Sequence, residues 1–465
     1  MKREVYSVMM LTLLSMGMLT LALNIETVRA DWSWTETVVI QADGSVHPDT
    51  APISTVDNIT YTLTDNIVGD VPMWSTAIAV SRDNIVLDGS GHTVEGNEAI
   101  FSKGVYLSDR SNVTVKNIKV TKFHYAIRLI HSANSTLIGN QVSNNSFGFY
   151  IQSSMGNTLK DNMVAYNNYG ISMQASEYNN IVGNSVLNNT DDGIIFSETC
   201  SNNNLTDNIV SSNRYGILMV SCSHNVLRAN AVSNNTEGGI YISLSSDTSL
   251  MENRVINNSG RSGIELADSN KTHIIGNSIT EHNYGLTLIQ SDDNIIHHNN
   301  FVNNTRQVYE WSWDNPWVPC STNNTWDDGY PSGGNYWSDY RERYPAATEI
   351  DDSGIWNTPY VLDEDNQDNY PLMEPYGALP RTINELRAAI EEMGLEGAID
   401  NQGVVTSLLV KLDAAQKLID NGKTDQATNL LEAFINEVQA QSGKHITPEA
   451  ADILLQSAEH ILFNL

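Results

Sequence analysis

The chain has 465 residues and carries 55 Asp and Glu against 25 Lys and Arg, a formal net charge of −30. That balance leaves little to neutralise a phosphate backbone and argues against a nucleic-acid partner. It suits a soluble, self-repelling surface or one that gathers cations, and the length suffices for two or three domains.

At the N-terminus, Lys2 and Arg3 precede an apolar run from about Val8 to Leu23, followed by Val28-Arg29-Ala30. This is the layout of a cleaved secretory signal over residues 1–30, and it predicts a secreted or cell-surface protein. An uncleaved anchor helix is the alternative, although the run is short of the roughly 20 apolar residues a span prefers. No later segment is apolar enough, so no transmembrane anchor is expected after cleavage. Sequons such as Asn112-Val113-Thr114, Asn204-Leu205-Thr206 and Asn257-Asn258-Ser259 allow glycosylation of an exported chain. Residues 31–80 read as strands out of register with the later repeat, an N-terminal β cap.

From about 81 to 314 the chain repeats itself. Gly148, Gly170, Gly193, Gly216, Gly239, Gly263 and Gly285 are spaced by 22, 23, 23, 23, 24 and 22 residues, each opening an in-out-in apolar triplet such as Ile217-Leu218-Met219. A second series runs Asn140, Asn162, Asn184, Asn208, Asn230, Asn253, Asn277 and Asn299. A third, five residues further on, runs Asn145, Asn167, Asn189, Asn213, Asn235, Asn258, His282 and Asn304. Each unit holds about three short alternating strands and no helical period. One unit cannot bury its apolar side alone, but stacked copies can. The pattern predicts an all-β main domain, a right-handed parallel β-helix with rungs of 22–23 residues. A leucine-rich horseshoe has a similar period but needs a Leu consensus that is absent. The glycines are expected to supply backbone freedom at a bend, and the asparagines left-handed turns and hydrogen bonds between rungs.

Stacking turns repeat positions into columns. The position before the bend glycine, or before Ala126, gives Tyr125, Phe147, Tyr169, Asp192, Tyr215, Gly238, Ser262 and Tyr284. One position earlier, Asp191, Arg214, Glu237 and Arg261 alternate in sign. Two readings stand. In one, Tyr125, Phe147, Tyr169 and Tyr215, with Asp191 and Asp192, line a carbohydrate-binding groove. In the other they are stacking columns and cross-strand pairs worth about 0.2–1 kcal/mol each. For catalysis, Asp191 and Asp192 are the candidates, in an Asn-Thr-Asp-Asp-Gly stretch faintly like the acidic motif of polygalacturonase-type glycosidases. The Gly-His-Gly and Arg-x-Lys elements of those enzymes are missing, as is the basic cluster of a calcium-dependent pectate lyase. His297 and His298, if on a strand, would point to opposite faces, and no His/Met copper column is visible. Cys200 and Cys222 fall five residues before Leu205 and Leu227, so they share a column on neighbouring rungs and are expected to form a disulfide, leaving Cys320 over.

After 314 the repeat gives way to a Trp/Tyr/Gly/Asp-rich closing segment, 315–376. NNFVNNT (299–305), GGNYWSDY (333–340), GIWNTPYVLD (354–363) and DNYPLM (368–373), with QADGSVHPDTAPI (41–53) and DNIVLDGSGHTVEG (83–96), resemble archaeal NosD-like β-helix proteins of the carbohydrate-binding and sugar-hydrolase repeat group. The family name implies copper delivery to nitrous oxide reductase, which only a subset performs, and copper is not expected here. RERYPAATEI (341–350) replaces the Gly/Asp-rich insert of relatives. Calcium, if it binds, is expected around Asp351, Asp352, Asp363 and Asp365, as hard oxygen ligands. A hinge, 377–380, leads into four predicted amphipathic helices over 381–465. Thr382 to Glu385 forms a capping box, Gly422 and Gly443 end helices, and Thr447-Pro448 starts the last. LLEAFINEVQAQSGKHIT (430–447) resembles the FIMAH module, which implies an accessory role in surface attachment or carbohydrate contact. The expected function is non-catalytic binding of a polysaccharide or cell-surface glycoprotein. A polysaccharide lyase or glycoside hydrolase, or a NosD-type copper-handling protein, is the alternative.

Overall fold

The computed structural model describes residues 31–463 apart from 352, 378, 379, 381 and 421; the predicted signal segment lies outside them. Three long sheets of 13, 13 and 12 strands run through the coil. One rung shows the plan. Tyr125–Ile130 lies in the first sheet, Thr136–Ile138 in the second and Gln141–Ser143 in the third, and each pairs in parallel with its counterpart about 22 residues on. This is the right-handed parallel β-helix that the repeat predicts. Inward residues are buried aliphatics such as Ile127, Leu137 and Val142, so every rung adds a layer to one continuous core.

Two features of the repeat have a different physical basis from the expected one. Gly148, Gly170, Gly193, Gly216, Gly239, Gly263 and Gly285 do not adopt positive φ. They are glycines for want of space: a Cβ on Gly193 would lie 2.6 Å from Val210 Cγ1 and 2.7 Å from the Gly216 carbonyl oxygen. The asparagines of the two series are not left-handed either. The residue before each of them is, as in Asp161, Asp207, Ala229, Glu252 and His298. The asparagines are buried and bond from rung to rung. Asn162 Oδ1 accepts from the backbone N–H of Asn140 (2.9 Å) and from its Nδ2 (3.1 Å), and Asn162 Nδ2 donates to the Leu137 carbonyl (2.9 Å). A further column, Ser132, Ser154, Ser176, Cys200, Cys222, Ser245 and Ser269, caps backbone N–H groups in the same way.

The coil begins before residue 81: Thr60–Leu63, Ile67–Val68 and Thr76–Val80 already pair in register with the next rung. The cap proper is antiparallel, with Val46–His47 on Val38–Ile40 and Ile53–Ser54 on Thr60–Leu63. At the other end the ladder ending at Asn299 continues into the closing segment at Asn335, and Asn294 bonds in the same way to Asn324. Tyr336–Trp337 extends the third sheet, and Phe301, Trp337 and Tyr360 stack at 4.5 and 4.2 Å over the open end of the core.

The described chain forms two compact units. Thr348–Asn357 and everything from Pro371 onward belong to the second, whereas Thr358–Tyr370 returns to the coil. The second unit contains helices Ile383–Glu396, Gln402–Asp420, Thr424–Gln441 and Pro448–Phe463. The first begins with a capping box, Thr382 with Glu385, and ends at left-handed Gly397. Consecutive helices pack together and the first also meets the last, around Leu386, Ile390, Leu408, Leu412, Leu431, Phe434 and Leu454. Among the described residues no helix is long and apolar enough to cross a membrane.

Candidate functional site

In a parallel coil the outward positions of one sheet line up into a long flat face, and the first sheet, with six-residue strands, offers the widest. Two outward columns run side by side on it. One is Lys103, Tyr125, Phe147, Tyr169, then Asp192 and Tyr215. The other holds Tyr106, Arg128, Tyr150 and Ser172, and further on Tyr241 and Glu265.

The structure brings three of the predicted aromatics together. Tyr125 and Phe147 stack at 5.3 Å, and Phe147 and Tyr169 at 4.9 Å. Tyr150 closes on Tyr125 at 4.9 Å, and Arg128 lies over both the Tyr125 and Tyr150 rings, at 4.5 and 5.2 Å. Tyr125 is buried beneath these neighbours, while Phe147 and Tyr169 keep part of their rings in solvent. Tyr215 stands apart beyond Asp192 and packs on Tyr241 at 5.6 Å.

A basic group closes one end of this patch. Lys103 Nζ donates to the Trp74 carbonyl (2.7 Å) and lies 5.5 Å from the Tyr106 ring. Burial, and then the Arg128 charge, lower the basicity of both Lys103 and His124. Arg128 Nε is buried with no partner among the described residues. The sequence reading missed Arg128, Tyr106, Tyr150 and Tyr241. They sit at the middle position of the in-out-in triplets, and reading that position down the repeat would have found them.

Asp191 and Asp192 share one cation. Arg214 Nε lies 2.9 Å from Asp191 Oδ1, and Arg214 donates to both oxygens of Asp192 at 3.1 Å. Asp192 is 1% exposed, and burial raises its pKa against the opposing pull of Arg214. With both oxygens on Arg214 and no solvent access, Asp192 is not placed to protonate a glycosidic oxygen. It anchors Arg214 within the strip.

Cys200 and Cys222 do share a column on neighbouring rungs, but the expected disulfide is not formed: both are free. Each thiol stands where the column elsewhere has a serine hydroxyl. Cys200 Sγ accepts from the Ser176 N–H (3.4 Å) and points to the Ser197 carbonyl (3.1 Å), and Cys222 Sγ to the Val220 carbonyl (3.1 Å). The predicted calcium ligands do not form a cluster among the described residues. Asp352 is not described, Asp351 belongs to the second unit, and Asp363 and Asp365 to the first. Asp363 instead caps its own turn, accepting from the N–H groups of Asp365 and Asn366 and from Trp313 Nε1.

One donor cluster contradicts expectation. His297 ends a strand, but His298 is left-handed (φ 58°), and that twist defeats the alternation that would send the two rings to opposite faces. Their rings meet at 4.6 Å, and together with Asp328 they place three ligand atoms within 4.8 Å of one another.

Residues 185–342 match the family described as periplasmic copper-binding protein (NosD), residues 55–209 and 103–255 match the right-handed beta helix region, and residues 383–463 match the FIMAH domain. No curated protein matches the sequence. Among solved structures, the A-module of the mannuronan C-5 epimerase AlgE4 of Azotobacter vinelandii is similar at 15% identity and TM-score 0.48, over 56% of this chain and 79% of that one. The Dettilon tailspike protein is similar at 17% and 0.49, over 60% of each chain, and the periplasmic alginate epimerase AlgG at 16% and 0.43, over 60% and 81%. Copper, the ion in the NosD description, takes imidazole nitrogen and carboxylate oxygen, and the His297–His298–Asp328 group has that donor chemistry. By fold the chain is a right-handed parallel β-helix followed by a helical unit that matches the FIMAH domain over 383–463.

Proposed function

We propose that this is an exported, cell-surface protein that binds an acidic polysaccharide along the outer face of its first sheet, without cleaving it. The observation that carries the reading is the stack of Tyr125, Phe147 and Tyr169, with Phe147 and Tyr169 partly exposed and Lys103 and Arg128 beside it. Flat rings such as Phe147 and Tyr169 offer apolar area that can cover the C–H face of a pyranose. A repeat of one rung per about 4.8 Å sets such platforms in a row, which suits a linear polymer better than a small molecule.

The acidic preference rests on Lys103 and Arg128. A chain of net charge −30 has no shortage of carboxylates, yet these two cations are gathered among tyrosines, and Arg128 keeps a buried N–H without a partner among the described residues. An anionic sugar substituent is the kind of partner a guanidinium takes. The FIMAH domain fits a separate attachment role.

A glycan array probed with the mature protein, with sugar release from the same polymers measured in parallel, tests this. Binding to acidic glycans, weakened by Arg128→Gln and without turnover, is the expected result. Product release that disappears in Asp192→Asn would establish the enzyme instead.

A further inference from the structure

We infer that His297, His298 and Asp328 form a binding site for one borderline divalent transition-metal ion of the zinc and copper(II) class. The site lies at the corner between the second and third sheets, away from the first-sheet face, and is independent of the glycan reading.

The argument starts from the corner. The residue before each ladder asparagine is left-handed, so its side chain leaves the coil at an angle that strand residues cannot take. At most rungs this position holds Gly, Ala, Asp or Glu; at the rung ending in Asn299 it holds His298. The neighbouring outward position is His297, whose Nδ1 is buried and has no hydrogen-bond partner among the described residues. A lone imidazole nitrogen shielded from water and left without a partner is costly unless something occupies it.

The second histidine is held in a ligand's posture. His298 N–H donates to the Gly334 carbonyl (2.8 Å), fixing the backbone, and His298 Nε2 lies 3.1 Å from the Ser332 carbonyl oxygen. A carbonyl only accepts, so Nε2 carries the proton in this bond. This is the outer-shell bond by which metal-ligating histidines set their tautomer.

The third donor comes from the closing segment, 30 residues on. Ser332 Oγ donates to Asp328 Oδ2 (2.7 Å), and Asp328 N–H donates to the Gly333 carbonyl (2.8 Å), so the loop holding the carboxylate is tied to itself and to His298. The adjacent Asp327 is already used, accepting from Asn369 N–H and Nδ2 at 3.0 and 2.9 Å.

Two imidazoles and one carboxylate select zinc, copper(II) or nickel over calcium and magnesium, which take oxygen donors. Bonds of about 2.0–2.1 Å in a tetrahedral site put ligand atoms roughly 3.3 Å apart. The observed spread of up to 4.8 Å therefore closes with a small swing of the exposed Asp328 side chain. Three protein ligands leave a fourth position open to water or a donor from a partner.

The test uses the full chain, untagged and stripped with a chelator, titrated calorimetrically with Zn²⁺ and Cu²⁺, and with Ca²⁺ and Mg²⁺ as controls. One equivalent of Zn²⁺ or Cu²⁺ is expected, with no uptake of the controls. His297→Ala and His298→Gln should each weaken that equivalent by about tenfold or more. His131→Ala, at an exposed histidine elsewhere on the coil, should leave it unchanged. Asp328→Asn, on an exposed loop side chain, serves if a histidine variant fails to fold and should also weaken binding. Electron paramagnetic resonance of the Cu²⁺ form should show coupling to two imidazole nitrogens. An affinity indifferent to the histidine and aspartate substitutions, or a spectrum without nitrogen coupling, would overturn the site.

Discussion

The buried Asn162 side chain makes four hydrogen bonds, two of them with Asn140. Asn162 satisfies the Asn140 N–H on one side and the Leu137 carbonyl on the other, and its own amide meets Asn184. Removing one such side chain strands a donor and an acceptor in a dry corner, each costing about 1–3 kcal/mol. Asn162→Ala is therefore expected to destabilise the coil by roughly 2–5 kcal/mol, measured by urea unfolding, whereas Asn144→Ala, at the exposed left-handed position beside Asn145, should cost far less. The thiols give a second check at this scale. Cys200 and Cys222 fill serine places in a hydroxyl column, so in denaturant without reductant both should take up an alkylating reagent. Labelling that requires prior reduction would restore the disulfide expected from their spacing.

At the scale of elements, the rungs are legible because a parallel coil imposes its period directly on the sequence. Glycine and asparagine recur wherever a neighbouring rung leaves no room for Cβ or needs a buried amide. What the period does not reveal is the corner geometry. Left-handedness falls on residues of many types, so His298 looks like an ordinary strand residue, and its partner Asp328 lies in a segment with no repeat to align it. The serine column is likewise hidden, since serine is common in turns for local reasons. The end cap has no period in the sequence, yet after longer loops Asn335 continues the ladder ending at Asn299 and Asn324 bonds in the same way to Asn294. That cap contains a pH-sensitive group. Asp368 is fully buried and accepts from the Asn335 N–H, Trp337 Nε1 and the Tyr370 N–H, but burial outweighs these donors and pushes its carboxyl up to about 7. Since the folded value lies above the unfolded one, near 3.8, the folded state holds the proton more tightly. Its contribution is complete below about pH 4 and is lost as pH rises through about 7. Asp368→Asn should flatten that part of the stability profile, so the difference between parent and variant melting temperatures should change between about pH 4 and 7.

For the whole molecule, the charge balance and the first-sheet face pull in opposite directions. A chain of net charge −30 repels polyanions at long range, so an acidic polymer has to be held by short-range contacts, and these exist where Lys103 and Arg128 meet the tyrosines. At physiological salt the long-range repulsion is screened beyond about 8 Å, and the local contacts decide. The aromatic candidates are visible in the sequence because they recur at rung spacing, while the cation among them, Arg128, stands one column away, at the middle of the in-out-in triplets, and shows only when that position is followed down the repeat. The most direct test is affinity electrophoresis of the parent and of a Tyr169→Ala/Tyr215→Ala double variant, in gels containing polygalacturonate, dextran sulfate or neutral dextran. The two rings together contribute about 1–3 kcal/mol beyond their area, a loss of roughly fivefold to a hundredfold in affinity. Retardation of the parent by a polyanion but not by neutral dextran, lost in the double variant with its melting temperature preserved, is the result predicted. A double variant that melts early while binding as well as the parent would contradict the account and make the strip a stacking ladder of the fold.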